Sequence, residues 1–170
     1  MAKRIQSLTT LTPTATADTT NLVDATYHGV IQGGSGTQRI NIIEVYQGGQ
    51  AGASSPTIML LSRYSTVAVT VSNGAGLMDA ALDAATAALA AAPVTGNTTT
   101  TKPQRSSTRR LLNLSCNAFG GIVRWVAAPG EEPSLVGNTA SLGEISLSAF
   151  TGGTPGLMGS HIVYEPFKSR

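Results

Sequence analysis

Charge is scarce in this chain. Asp, Glu, Lys and Arg make up 12% of its 170 residues, about half the ~25% usual in soluble domains. Together with its share of Val, Ile and Leu, this excludes the charge-rich, apolar-poor class of disordered chains. Aromatic residues are also few, at 5%, which argues against a compact aromatic-cored enzyme and leaves burial to Val, Ile, Leu and Ala. One cysteine, Cys116, excludes an intrachain disulfide, so the fold is compatible with a reducing compartment. No apolar run approaches the roughly 18 residues of a membrane-spanning helix. The opening MAKRIQSLTTLTPTATADTT lacks the apolar stretch of a secretory leader. These absences predict a protein made and kept in a cytosol, with no membrane partner.

What the chain has instead is small side chains. Gly, Ala, Ser and Thr account for 79 of the 170 residues. The length fits one domain. Residues 1–20 are Thr-rich and carry little apolar area to offset the entropy of ordering. They are expected to form an extended N-terminal arm that lies against its own sheet or a neighbouring subunit. Residues 21–170 then form a single β domain.

Within that domain β patterns recur. LVDATYHGVI leads to the loop GGSG. In QRINIIEVYQ, Ile40, Ile42, Glu44 and Tyr46 share one face by strict alternation, and Asn41, Ile43, Val45 and Gln47 the other. Both faces mix apolar and polar groups, which points to a subunit contact. TIMLLS reads as a buried strand and STVAVTVSN as a half-buried one, with LLNLSC, GIVRWVAAP, GEISLSAF and HIVYEPF following. Between them, LMDAALDAATAALAAAP places Met78, Leu82, Ala85 and Leu89 on one helical stripe, with Asp79 and Asp83 near the N-terminal end and Pro93 as terminator. This predicts an Ala-rich helix over 77–92. The expected fold is mainly β: a β-sandwich or jelly-roll-like barrel of about eight strands, one helix and the arm.

The search for chemistry returns little. No G-x-S-x-G elbow is present. Asp24 and His28 share a strand face, and His161 is the second histidine, but a polar pair at a strand end explains them better than a triad. No H-x-x-x-H or C-x-x-C spacing supports a metal site. Glu131 and Glu132 read as a solvated turn, Cys116 as a small buried hydrophobe, and NGAG over 73–76 as a turn and helix cap rather than a phosphate cradle. No cofactor is expected, and no enzymatic activity. The exception is VTGNTTTTKPQRSSTRR, residues 94–110, a long segment with four basic residues and no acidic one. It predicts a loop that is either simply solvated or one in which Lys102, Arg105, Arg109 and Arg110 contact an acidic neighbouring subunit or, with less support from the small net charge of +2, nucleic acid. Exposed aromatics for a glycan site would have to come from Trp125, Tyr27, Tyr46, Tyr64 or Tyr164, most of which read as core.

The stretches INIIEVYQGGQAGASSPTIMLLSRYSTVAVTVSN and SLVGNTASLGEISLSAF, with the arm and the Ala-rich segment, resemble virion structural proteins of bacteriophages. Within that group the chain resembles the small coat-associated proteins that decorate or cement icosahedral heads. The resemblance implies a lattice-bound, homo-oligomeric β protein of the virion, assembled in the host cytoplasm, whose arm and loops bridge capsid subunits, itself or the major coat protein. A shell-forming coat protein with an inward basic loop, and a small β-sandwich ligand- or carbohydrate-binding module, are the alternatives.

Overall fold

The computed structural model describes residues 5–11, 29–32, 38–50, 52–54, 56–64, 71–72, 77–82, 94–96, 98–99, 105–136, 144–150 and 158–168. They are mainly β, and every pairing among them is antiparallel. In chain order the strands are β1 (Gln6–Leu11), β2 (Gly29–Gln32), β3 (Gln38–Gln50), β4 (Pro56–Tyr64), β5 (Val71–Ser72), β6 (Leu77–Ala81), β7 (Val94–Gly96), β8 (Thr98–Thr99), β9 (Arg105–Asn117), β10 (Phe119–Val126), β11 (Ser134–Val136), β12 (Glu144–Phe150) and β13 (Met158–Lys168). One sheet runs β10-β3-β13-β1-β6, with β11 also on β3; a second runs β7-β2-β12-β4-β9; β5 and β8 pair separately.

The long strand β3 explains its own mixed faces. Its partner β13 sets Tyr164 opposite Ile42 but Val163 opposite Glu44, so Ile43 is an extra residue, a β-bulge. Alternation therefore changes phase at Ile43. Gln38, Ile40 and Ile42 are buried before it, Val45 and Gln47 after it. Glu44 and Tyr46 thus lie on the face opposite Ile40 and Ile42, and the bulge accounts for the mixture without a subunit contact. On the other edge of β3 the chain after β10 spans the irregularity: Ala127 N–H donates to Ile43 O and Ile42 N–H to Pro133 O, both at 2.9 Å.

The expected helix over 77–92 is not formed at its start. Leu77–Ala81 is β6, with Leu77 opposite Thr10 and Ala81 opposite Gln6, and Leu82 N–H donates to Ile5 O at 3.0 Å. Helix preference of Ala over other residues is only tenths of a kcal/mol per residue, and a ladder along β1 satisfies the same backbone groups. Residues 83–92 lie outside the described residues.

Of the arm, residues Gln6–Leu11 lie against the chain's own sheet, as a strand between β13 and β6, and Leu8 is fully buried; residues 12–20 lie outside the described residues. The Thr-rich composition hid one apolar side chain at the position the core requires. The basic segment is likewise not a loop throughout: its ends are β7, β8 and the first half of β9, because backbone pairing with β2, β5 and β4 outweighs its polar composition.

Both sheets supply one core. Leu8, Ile40, Ile42, Val45, Ile162 and Tyr164 come from the first, Ile31, Leu61 and Leu114 from the second, and Ala118 from the corner between β9 and β10. That corner is tight because Gly49 sits beneath it: a Cβ on Gly49 would fall 2.5 Å from Ala118 Cα. Phe119 N–H donates to Asn117 Oδ1 at 3.0 Å and closes the turn, and Gly120, at φ +76°, opens a second bulge where β10 meets β3.

Candidate interaction surface

On the outer face of the first sheet four side chains stand in one cross-strand row. Thr9 on β1 is opposite His161 on β13, His161 opposite Tyr46 on β3, and Tyr46 opposite Arg124 on β10. Each pair is in contact, as directly opposed residues on one face should be. Thr9 Oγ1 and His161 Nδ1 share a hydrogen bond of 3.0 Å; the hydroxyl donates to a bare Nδ1 and accepts from a protonated one. The rings of His161 and Tyr46 meet edge to face, 5.7 Å between centroids at 66°. The Arg124 guanidinium lies 5.1 Å from the Tyr46 centroid, a cation–π contact.

Glu44, two residues from Tyr46 and on the same face, ties the row together. Arg124 Nε donates to Glu44 Oε1. Burial alone would raise the Glu44 carboxyl, but hydrogen bonds from Arg124 and Tyr46 together outweigh it and hold the group below its ordinary range. The same contacts act on the partners: the Tyr46 hydroxyl is pushed up mainly because it donates to the carboxylate, and the Arg124 guanidinium is held more firmly protonated.

The row ends at an edge. β10 is the last strand of its sheet among the described residues, and its outer side carries Ile122 at 80% exposure, Arg124, and Val126 at 50%, with Phe119 at 58% near the corner. Even its inward residues Val123 and Trp125 are only half-buried against the core. The strand carries none of the lysine or proline that commonly blunts an edge.

Beneath this face, Gln47 Nε2 donates to Cys116 Sγ at 3.1 Å, while the buried Gln47 Oε1 has no partner. Burial pushes the Cys116 thiol up, only partly offset by the Gln47 N–H, so this cysteine is a poor nucleophile.

Arg105, Arg109 and Arg110 lie along β9, with Arg105 opposite Tyr64 and Arg110 opposite Ser62; Lys102, Asp24, His28, Tyr27 and residues 73–76 lie outside the described residues. Glu132 Oε2 accepts from Gly130 N–H at 3.0 Å and Glu131 N–H donates to Ala128 O, a locally closed turn. Tyr164 is buried with its hydroxyl donating to Gln6 Oε1 at 2.9 Å. Among the described residues no three His, Cys, Asp or Glu side chains gather to hold a metal ion, and no helix is long and apolar enough to cross a membrane. The row of Thr9, His161, Tyr46 and Arg124 escaped sequence reasoning because four distant segments supply it. The one local signal was Glu44 and Tyr46 in alternation. No protein-family model matches this chain, and no curated protein matches it.

Proposed function

We propose that this chain is a non-enzymatic structural subunit of a bacteriophage particle, binding neighbouring subunits of the capsid to build or stabilise the shell. The observation that carries the reading is the strand β10, last in its sheet among the described residues, where Phe119, Ile122 and Val126 expose apolar surface along the edge. Low charge, small side chains and mixed antiparallel strands support it, as does the resemblance to head-decorating proteins. In this reading the two sheets form a β-sandwich, supported by the single core cluster that draws on both. The basic residues Arg105, Arg109 and Arg110 of β9, with Lys102, serve a contact to an acidic subunit or to nucleic acid. The chain then resides in the virion after assembly in the host cytoplasm.

The test is assembly of the full chain, followed by light scattering and negative-stain microscopy. A decoration subunit gives small oligomers and no shells. Shells formed by this chain alone would instead make it the primary coat, and salt-sensitive nucleic-acid retention would place its basic segment inward. A chain that stays monomeric, binds no shell and binds a glycan array would overturn the structural reading in favour of a carbohydrate-binding module, for which Tyr46 is the aromatic on the open sheet face.

A further inference from the structure

We propose that the edge of β10 left open among the described residues pairs with β10 of a second copy of this chain, antiparallel and about a two-fold axis at Arg124. The inference deepens the structural-subunit reading and rests on it. In an antiparallel ladder, successive residues turn their N–H and C=O alternately to one neighbour and to the other. Ala127 N–H donates to Ile43 O, so Ala127, Trp125 and Val123 face β3. Ile122, Arg124 and Val126 therefore turn their backbone groups to the open edge.

The regular part of that edge is short and bounded. The bulge between Phe119 and Ile122 ends it on one side, and the end of the strand at Val126 on the other. Its midpoint is Arg124. An antiparallel copy in full register consequently sets Arg124 against its own equivalent, Ile122 against Val126, and, on the inner face, Val123 against Trp125. Every apolar side chain then meets an apolar one, and the six backbone groups of Ile122, Arg124 and Val126 all find partners.

Two like charges face each other at the axis, and the row on the outer face removes the conflict. Glu44 and the Tyr46 ring draw the Arg124 guanidinium inboard over β3, away from the edge. Each copy thus brings a neutralised Arg–Glu pair and presents only the aliphatic stem of Arg124 at the seam. A partner of another kind would have no reason to match the spacing of Ile122 and Val126 about this centre; a second copy matches it by symmetry. Because the strand contact is smaller than the roughly 1,200 Å² of a stable complex, pairing is expected to be weak in dilute solution and to strengthen in a lattice.

The experiment is oxidative cross-linking of full-length chains in a Cys116→Ala background, beside sedimentation velocity over a concentration series. Arg124→Cys should give a disulfide-linked dimer. Neither Ile122→Cys nor Val126→Cys should do so alone, but the two mixed should. Val126→Pro removes an edge-facing N–H without breaking a bond to β3, and should weaken self-association at least tenfold with unchanged circular dichroism. Equal cross-linking at all three single sites, or undiminished association of Val126→Pro, overturns the β10 pairing and leaves the subunit reading standing. Cross-linking of Arg124→Cys only to a different protein also overturns it. A parent chain that neither self-associates nor binds shells removes both.

Discussion

Gly49 lies so close to Ala118 that the α-hydrogen of Gly49 occupies the only space available, with Ala118 Cα 2.5 Å and Ala118 O 2.6 Å from where a Cβ would be. The β9–β10 corner rests on this contact between two small residues, Gly49 near the end of β3 and Ala118 in the turn itself.

Gly49→Ala should therefore destabilise the fold by about 1–3 kcal/mol, the range for overpacking a close contact. Gly52→Ala, four residues from Gly48 in the same glycine-rich segment but with nothing within 4 Å of its new methyl, should change stability by less than about 0.5 kcal/mol. Urea denaturation of the two variants separates them.

Removing residues 1–11 should abolish the native fold, because β1 is an interior strand whose loss orphans the facing backbone of β13 and β6. Leu8→Ala, a milder probe of the same strand, should cost about 2–5 kcal/mol. Circular dichroism and proteolysis check both. Retention of a folded core after the deletion would return these residues to the status of an arm.

Acid should erode stability through Glu44. Its carboxyl is held low in the folded chain, so the unfolded state binds the proton more readily. The contribution is fully present above the unfolded value of about 4.3 and is lost as pH falls through the lower folded value. Because Arg124 is largely exposed, solvent screens the pair and its contribution is small. Glu44→Gln should flatten this part of the stability profile while leaving the region above pH 6 nearly parallel to the parent.

Cys116 should react slowly with a disulfide reagent in the folded chain at pH 7–8 and rapidly once unfolded, since burial raises its thiol. Gln47→Leu should slow it further by removing the N–H that favours the thiolate. The same substitution also removes the unpartnered Oε1, so its cost in melting temperature should be small or of opposite sign.

Much of the fold was legible where alternation is local. EISLSAF alternates with period two, TIMLLS is a continuous apolar run, HIVYEPF is rich in β-branched and aromatic residues, and QRINIIEVYQ alternates on either side of its bulge; all four are strands. What failed did so for identifiable reasons. LMDAA was read with the alanines that follow it, and a helical stripe over seventeen residues outweighed five that pair with β1. Composition left open whether the Thr-rich start lies on its own sheet or on a neighbour; the buried Leu8 ties Gln6–Leu11 to the chain's own sheet. The outer row was invisible because Thr9, His161, Tyr46 and Arg124 become neighbours only through the register of β1, β13, β3 and β10, whereas Lys102, Arg105, Arg109 and Arg110 fall within nine residues of sequence.

The bulge at Ile43 makes β3 two half-strands of opposite phase, and this governs which changes of length the chain can absorb. Deleting Ile43 would merge the halves into one regular strand that still turns Ile40, Ile42, Val45 and Gln47 to the core and Glu44 and Tyr46 outward. A single insertion or deletion elsewhere in the strand instead turns one half over, whereas a pair of residues preserves sidedness. Length variation in descendants of this sequence should accordingly come in twos within β3, and singly only at the bulge or in the segments that join strands.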